Sequence, residues 1–233
     1  MADEQQWRRT ESEIAIMTAL RQHPYVVQII DAISTLTASS SPSMPPAGQY
    51  GEFLILMEYC ERGHLVDLLN HHLSTRTRLP DATIWQILFS LCLAVAALHQ
   101  QGTLHRDIKI ENILMTAEGT FKLSDFGSCT TQLVPPGTRI DRTTAVRLEE
   151  EIQKQTTIQY RPPEMCDVYR KLGIGLSADI WAIGVLAYKL CFYTTPFEEG
   201  GPLAILSGQY SIPHGQYPNH LVFIRISFRL LTA

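Results

Sequence analysis

Cysteine is scarce in this chain of 233 residues, and its arrangement excludes the sites that cysteines most often build. The five cysteines are odd in number, widely spaced and never form a C-x-x-C pair, so the sequence predicts neither a zinc site nor a disulfide framework. Free thiols of this kind fit a reducing compartment best. Their positions are Cys60, Cys92, Cys129, Cys166 and Cys191.

An excess of positive charge is also missing. The formal net charge is −4 and charged residues make up 18% of the chain, so we expect no nucleic acid among its main partners. A hydrophobic content of 45% is that of an ordinary globular protein rather than a disordered one. A chain of this length can bury a sizeable core, and we expect one or two domains.

No hydrophobic run is long and uninterrupted enough to predict a membrane span. The segments 84–99 and 180–193 are strongly apolar, but polar residues interrupt both and each is shorter than a bilayer requires. In 84–99 the apolar residues recur at helical spacing, which predicts a helix with one face in a core. The N-terminal segment MADEQQWRRTESE lacks the apolar stretch of a signal peptide, so no such leader is expected.

The remaining pattern predicts a few strands followed mainly by helices. A Ser/Pro/Gly-rich segment, residues 37–51, is expected to be a mobile loop. Irregular structure with room for one helix is expected over 127–163, and Ser177 to Asp179 is expected to cap the second apolar helix. This order indicates an α+β protein with a thin sheet layer and a larger helical body. Helices are predicted at 10–20, 63–72 and 80–99, and strands at 25–36, 52–59 and twice within 113–126.

The stretch HRDIKIENIL (105–114) places a carboxylate, an ammonium and a carboxamide close together among apolar residues. A second carboxylate, Asp125, follows a short two-strand unit that can return the chain to the same place. Asn112 and Asp125 together supply the hard oxygen ligands that Mg²⁺ prefers, with substrate phosphates in its shell. Asp107 is then available as a base, and Lys109 as a positive charge for a transferred phosphoryl group.

Five motifs in a fixed order resemble those of the eukaryotic protein kinases. HRDIKIEN matches the catalytic-loop pattern H-R-D-L-x-x-x-N except that Ile replaces Leu, and DFG follows at the usual distance. YRPPE (160–164) stands where A-P-E is expected, and ADIWAIG (178–184) resembles the D-x-W-x-x-G helix. ESEIAIM and HPYVVQIID, within residues 11–31, resemble the kinase C-helix and the following strand. The resemblance extends over nearly the whole chain and implies a protein-kinase-like α+β fold.

The resemblance also implies a division of the chain and a subfamily. Residues 1–59 correspond to part of the kinase N-lobe, and residues 60–233 to the mainly helical C-lobe. Segments such as LILMEYCERGHLVDLLN and EEEIQKQTTIQYRPPEM resemble the Numb-associated kinase group, which includes adaptor-associated, cyclin-G-associated and fungal actin-regulating kinases. The resemblance implies a cytoplasmic Ser/Thr kinase that uses ATP and Mg²⁺ and acts on endocytic-coat and actin-patch proteins.

The family's catalytic roles can be assigned to matching positions. Asp107 would accept the proton of the substrate hydroxyl, and Lys109 would steady the γ-phosphate. Asn112 and Asp125 would hold Mg²⁺, and Glu13 would be the acid of the C-helix.

The family's nucleotide and regulatory positions also have counterparts. Met57 would lie at the back of the adenine pocket, and the hinge that follows it would hold adenine through backbone groups. Arg106 beside the base resembles kinases whose activity depends on an ordered, often phosphorylated, activation segment. The hinge residues are Glu58, Tyr59 and Cys60, and the candidates for modification are Thr143, Thr144, Thr156 and Thr157. Lys109 together with Thr157 resembles the Ser/Thr class rather than the Tyr class.

The kinase pattern is incomplete at both ends of the sequence. No G-x-G-x-x-G loop and no V-A-I-K lysine stand before the C-helix motif, so Glu13 has no predicted lysine partner. RISFRLLTA (225–233) stands in place of the closing helices and of the arginine expected to pair with Glu164. Two hypotheses therefore stay open: an ATP-dependent Ser/Thr kinase, or a catalytically impaired kinase-like binding module. Because the sheet is cut short, we expect the chain to aggregate.

Several of these polar residues also have a purely structural interpretation. Asp107 alone could be a turn residue, and Glu13 could be a solvated helix acid. Asp179 is expected to stabilise the start of a helix and to anchor the catalytic-loop backbone. By default His99 is a surface or core histidine, and RLEEEIQK (147–154) is a solvated helix face. His105 is expected to be a packed structural residue.

Overall fold

A computed structural model describes residues 2–34, 52–213 and 217–229 of the chain, so the predicted mobile loop at 37–51 lies outside the described residues. Helices and strands follow one another in an α+β arrangement in which helices predominate. In chain order they are α1 (Ala2–Ala19), β1 (Ile29–Ser34), β2 (Phe53–Met57), α2 (Leu65–Ser74), α3 (Asp81–Gln100), β3 (Ile113–Met115), β4 (Phe121–Leu123), α4 (Arg142–Gln155), α5 (Pro163–Cys166), α6 (Ser177–Phe192), α7 (Gly201–Ser207) and α8 (Pro218–Arg229).

The N-terminal part consists of α1 packed on a two-stranded antiparallel sheet. Strands β1 and β2 pair from Ile29 opposite Met57 to Ser34 opposite Phe53, with one irregularity near the start. One face of this sheet lies on α1, whose Met17 is buried. The other face leaves large apolar side chains exposed, as the period-two alternation of strand side chains requires when one face has no cover. These side chains are Ile33, Leu54 and Leu56.

The C-terminal body is organised around two apolar helices, α3 and α6. Helix α3 packs against β4 and α6, and α6 packs against α8. The approach of α6 and α8 is so close that a Cβ atom on Gly184 would lie 2.5 Å from the Cβ of Ser227. Buried Trp181 stacks on Phe197 with ring centroids 5.5 Å apart. Residues 225–229, which stand in place of the family's closing helices, therefore continue a helix that packs on the core.

Helix α3 corrects the length argument made from the sequence. At 20 residues it is the one helix in the described part of the chain that is long and apolar enough, by length and composition, to cross a membrane. Its apolar residues Ile84, Leu91, Val95 and Leu98 are nevertheless buried in the protein core. The helix is thus a core element because of its packing, whereas the sequence argument based on shortness was wrong.

Two boundaries near the N-terminus differ from the prediction for physical reasons. Helix α1 begins at Ala2 rather than near residue 10, because residues 2–9 are mostly helix formers. Trp7 also packs against Phe53 of β2, with ring centroids 4.1 Å apart. Strand β1 begins only at Ile29, because the residues before it pair with β4 instead. The N–H of Val27 donates to Leu123 O at 2.9 Å in that pairing.

Two helix starts in the C-terminal body test the capping predictions. Helix α4 confirms that 127–163 contains one helix, and Asp141 caps it by accepting from Thr144 N at 2.9 Å. The prediction that Ser177 caps α6 is wrong, since the cap position is Leu176 and no side chain there accepts a bond. Helix α6 starts without such a cap because packing of its buried face stabilises it instead.

Candidate active site

The catalytic-loop carboxylate is held by three neighbouring side chains. Lys109 Nζ donates to Asp107 Oδ2 at 2.6 Å, and Thr157 Oγ1 donates to Asp107 Oδ1 at 2.7 Å. Asn112 Nδ2 donates to Asp107 O at 2.9 Å and to Oδ2 at 3.2 Å. Burial pushes the pKa of Asp107 upwards, but the bonds from Lys109 and Thr157 outweigh it and lower the pKa. Asp107 is therefore an ionised, oriented carboxylate at neutral pH.

Backbone bonds bring the DFG carboxylate to the same place. Ser124 donates from both N and Oγ to Asn112 O, each at 2.9 Å, and Asp125 follows directly. Asp125 is exposed and adopts a left-handed backbone conformation with φ of 61°. The short β3–β4 unit thus does what the sequence predicted and returns the chain beside the catalytic loop.

The donor set at this place fits a magnesium ion in part. Because Asn112 Nδ2 bonds to Asp107, its Oδ1 is the atom available to a cation, and Asp125 supplies a carboxylate. An amide oxygen and a carboxylate are hard ligands, and Mg²⁺ completes its shell with water and phosphate oxygens. The described residues contain no group of three His, Cys, Asp or Glu side chains that could hold a metal alone. Any magnesium bound here must therefore share its shell with a nucleotide or water.

Glu13 on α1 lies beside Asp125 rather than beside a cation. A Cβ atom built on Gly127 would be 3.3 Å from Glu13 Oε2 and 3.5 Å from Asp125 Oδ1, so both carboxylates approach the same glycine. Burial and the negative charge of Asp125 raise the pKa of Glu13. Among the described residues Glu13 forms no ion pair with a lysine or arginine.

Asp179 anchors the backbone of the catalytic loop, as predicted. Its Oδ2 accepts from His105 N at 2.9 Å and its Oδ1 accepts from Arg106 N at 3.0 Å, while only 1% of the residue is exposed. His99 Nε2 lies 2.7 Å from Asp179 Oδ2, so His99 has a carboxylate partner that sequence spacing did not reveal. His105 packs on Phe126 with ring centroids 5.4 Å apart, and burial lowers the pKa of His105, which fits its structural interpretation.

The segment assigned as the hinge offers backbone groups, and two of its side chains are widely exposed. Met57 is 46% exposed and Tyr59 is 84% exposed, whereas Cys60 is buried. Glu58 N donates to Gln28 O at 2.9 Å, and Cys60 O accepts from Gly63 N at 3.1 Å. Among the described residues, this leaves the Glu58 carbonyl and the Cys60 N–H without recorded partners, and a planar base can bond to such groups.

The comparison with known families decides the identity of this arrangement. The protein kinase domain family matches residues 1–211. This chain belongs to the protein kinase family. The predicted kinase-like α+β fold is therefore confirmed, and the ordered carboxylates of the catalytic loop lie in the kinase domain's matched region.

The relatives of this kinase domain include proteins named for actin regulation. Actin-regulating kinase 1 of Saccharomyces cerevisiae is 44% identical over 211 residues, which are 90% of this chain and 31% of that protein. Serine/threonine-protein kinase ppk30 of Schizosaccharomyces pombe is 44% identical over 203 residues, 86% of this chain and 20% of that protein. Actin-regulating kinase PRK1 of S. cerevisiae is 38% identical over 213 residues, 90% of this chain and 25% of that protein. The chain thus spans less than a third of each relative.

Helix α4 of the kinase domain takes part in the site, which the sequence did not predict. Arg106 Nη1 lies 2.5 Å from Glu151 Oε1, and Arg106 Nε donates to Ser128 O at 2.5 Å. The interpretation of 147–154 as only a solvated face is therefore wrong for Glu151, although its neighbours on the outer side are exposed. The guanidinium of Arg106 is thus paired with a carboxylate of α4 in this arrangement.

The threonines considered for modification fall into two groups in the kinase domain. Thr143 and Thr144 are exposed at the start of α4. Thr156 is buried and accepts from Arg161 Nε at 2.6 Å, and Thr157 donates to Asp107. Thr144 Oγ1 also donates to Asp141 Oδ2 at 2.9 Å, so the first group differs from the second by its exposure rather than by a lack of hydrogen bonds.

Glu164 of the YRPPE motif is buried without a recorded cation among the described residues. Only 5% of the residue is exposed, and burial raises its pKa to about 7. A carboxylate in such a place is costly when ionised and tolerable when protonated. The expected arginine partner of Glu164 is thus not replaced by any described residue.

Proposed function

We propose that this kinase domain transfers the γ-phosphoryl group of ATP to serine or threonine hydroxyls of proteins. The observation that supports the proposal is the Asp107 carboxylate, which Lys109 and Thr157 hold in one orientation beside the Ser124–Asp125 turn. Phosphoryl transfer depends on positioning and on electrostatic stabilisation, and this arrangement supplies both.

Asp107 accepts the proton of the substrate hydroxyl while the oxygen of that hydroxyl forms a bond to the γ-phosphorus. The bond from that phosphorus to the β,γ-bridging oxygen breaks, and ADP leaves with the electron pair. Lys109, which is within hydrogen-bond reach of Asp107 Oδ2, places a positive charge where the transferred group gains negative charge. Thr157 fixes the second oxygen of the carboxylate, which keeps one face of Asp107 toward the substrate.

Asn112 and Asp125 would hold Mg²⁺, which neutralises the charge of the β- and γ-phosphates when it is bound. Glu58 O and Cys60 N–H would bond to the adenine edge, with Met57 beside the base. Glu13 would face the phosphate end through its position next to Asp125 and Gly127.

A second candidate function is nucleotide or protein binding with little turnover. It is favoured by the Glu13 carboxylate, which lies beside Asp125 with no recorded cation among the described residues, and by Met57 and Tyr59, which are widely exposed at the hinge. A phosphate end at which Glu13 has no cationic partner among the described residues stabilises the transition state less, so we expect slow turnover from these 233 residues.

The two candidates are separated by measuring binding and turnover together. Mg-ADP affinity is measured by isothermal titration, and phosphoryl transfer from γ-labelled ATP to casein is measured for the parent chain and Asp107→Asn. We expect slow transfer that falls by about 10²- to 10⁴-fold in Asp107→Asn. Asp31→Asn makes the same chemical change at an exposed carboxylate and should leave the rate unaltered.

Each outcome of this experiment selects one function. Binding of Mg-ADP with no detectable transfer would select the binding module. Transfer that survives Asp107→Asn would reject Asp107 as the base. If millimolar Mg-ADP does not bind at all, both nucleotide-dependent functions fail for this chain.

The class of protein substrate is proposed from the relatives alone. Two of them are named actin-regulating kinases, so we propose protein substrates among the regulators of actin. Phosphorylation of an actin-patch protein by the chain, but not by Asp107→Asn, would support this assignment.

A further inference from the structure

Glu58 and Lys122 form an ion pair between the hinge and the strand that leads to Asp125. Lys122 Nζ lies 2.7 Å from Glu58 Oε1 and 2.8 Å from Oε2, so both carboxylate oxygens accept from one ammonium. The Lys122 side chain is 12% exposed and that of Glu58 is 25% exposed. Because the pair is shielded from water on most sides, its geometry is better defined than that of a surface ion pair.

The same carboxylate also holds the segment that follows α1. Glu58 Oε1 accepts from Gln28 N at 2.7 Å, while Glu58 N donates to Gln28 O at 2.9 Å. Gln28 in turn donates from Nε2 to His23 O at 2.9 Å and to Val26 O at 2.7 Å. The Glu58 cluster, defined as Gln28, Glu58 and Lys122, therefore connects the end of α1 with the hinge and with β4.

Backbone bonds extend this connection to the phosphate end of the site. Val27 N donates to Leu123 O, and Leu123 N donates to Tyr25 O, each at 2.9 Å. Ser124, the next residue after Leu123, bonds to Asn112 O and precedes Asp125. One continuous set of bonds thus runs from the hinge, through Lys122, to the residues proposed to hold magnesium.

We propose that Lys122 is a positioning residue of the nucleotide site. Its bond to Glu58 sets the orientation of the hinge relative to β4, so that one nucleotide can contact both the hinge backbone and the Asn112–Asp125 end. This inference rests on the proposed nucleotide-dependent function and adds a residue to which the motifs assign no role. Within the described part of the chain, the hydrogen bonds of the Lys122 ammonium all go to Glu58, so Lys122 acts through Glu58.

The proposal predicts that loss of Lys122 affects ligands that span the site more than ligands that occupy one end. Adenosine contacts only the hinge end, whereas Mg-ADP contacts both ends. We expect Lys122→Met to weaken Mg-ADP binding by about five- to tenfold and adenosine binding by less than about twofold, because only the spanning ligand needs both ends aligned. Both affinities are measured by isothermal titration after circular dichroism has verified folding.

Two further variants separate positioning from a general effect on the fold. Lys122→Arg keeps a cation that can bond to both oxygens of Glu58, so it should retain Mg-ADP affinity within about twofold. Lys154→Met removes an exposed lysine from the last turn of α4 and should change neither affinity. In a double-mutant cycle, Glu58→Gln combined with Lys122→Met should weaken Mg-ADP binding no more than either change alone.

A readout without ligand distinguishes failure of this proposal from failure of the proposed function. Hydrogen exchange is followed at the amides of Glu58, Val27 and Ser124, which bond to Gln28 O, Leu123 O and Asn112 O. If Lys122 positions the hinge against β4, Lys122→Met should raise exchange at all three amides by about tenfold relative to Lys154→Met.

The exchange and affinity measurements decide whether Lys122 is a positioning residue. Unchanged exchange at Val27 and Ser124 overturns the proposal, whether or not nucleotide binds. Equal losses of adenosine and Mg-ADP affinity also overturn it, because Lys122 would then act on the hinge alone. If the parent chain binds no nucleotide but exchange rises at all three amides, the proposed function fails while the structural connection made by Lys122 stands.

Discussion

The catalytic loop and the N-terminal sheet differ in how completely their groups are partnered. Asp107 in the loop and Asp179 on α6, which anchors the loop, are buried, and each accepts several hydrogen bonds. On the sheet, Leu54 and Leu56 are 61% and 57% exposed, and nearby Glu13 faces another carboxylate. The difference shows that the residues which orient the base are present within this chain, whereas the cover of the sheet and the cation for Glu13 are not found among the described residues.

Loss of Asp179 tests the well-partnered region and should have the largest effect. Asp179→Ala leaves two backbone N–H groups of the catalytic loop without their acceptor, so the free energy of unfolding should fall by about 3 to 5 kcal/mol. Urea denaturation measures this change. Asp141→Ala, which removes an exposed helix cap, should cost only about 1 kcal/mol. If both variants lost the same free energy of unfolding, the buried anchor would contribute no more to stability than the exposed cap, which would contradict the prediction.

A change at Glu164 tests whether the helical body also contains a charged group that lacks a partner. Its pKa rises from 4.5 to about 7 on folding, so the folded state binds the proton more tightly than the unfolded chain. The stabilisation that this proton provides is fully present below pH 4.5 and is lost as the pH rises to about 7. The free energy of unfolding therefore falls by at most about 3 kcal/mol over this range.

Glu164→Gln replaces the protonated carboxyl with a neutral amide and should remove this loss. The melting temperatures of the variant and the parent should be similar near pH 4.5 and diverge in favour of the variant up to pH 8. Glu150→Gln alters an exposed glutamate of α4 and should leave the pH profile unchanged. Parallel profiles for the parent and Glu164→Gln would indicate that a cation or water already compensates Glu164.

The exposed sheet face should show the smallest effect on stability and a clear effect on association. In Leu54→Thr with Leu56→Thr the strand propensity is kept, and the free energy of unfolding should change by less than about 0.5 kcal/mol. Light scattering should show less aggregation than in the parent chain. Ile55→Thr lies on the face that packs on the core and should destabilise without this benefit. A monodisperse parent at high concentration would contradict the prediction.

The sequence was most informative where a function requires a short, continuous motif. The stretch 105–114 and the DFG motif predict Asp107, Asn112 and Asp125 as neighbours, and one short hairpin brings Ser124, which precedes Asp125, into contact with Asn112 O. Predictions were weaker at the ends of helices and strands, because tertiary contacts decide where these elements begin. Helix α1 extends to Ala2 through contact with the sheet, and β1 begins later than predicted because the residues before it pair with β4.

Other functional contacts had little or no local signal. Glu151 stands in a run of charged residues, and nothing in that run distinguishes it as the partner of Arg106. Lys122 alternates with the buried Phe121 and Leu123, which predicts only that its side chain lies on the opposite face of β4 and does not indicate a partner. The exposure of Met57 likewise follows from the absence of cover over the sheet rather than from its own neighbours.

By itself, the sequence determined the family, the fold class and the grouping of Lys109 and Asn112 near Asp107, because each depends on motifs whose spacing is short. Only the tertiary structure decided that Lys122 bonds to Glu58, 64 positions away, that Glu151 neutralises Arg106, and that Glu164 is buried without a recorded cation. The physical reason is that the partner of a charge is chosen by how separate elements approach one another, and that approach is set by packing of the whole core.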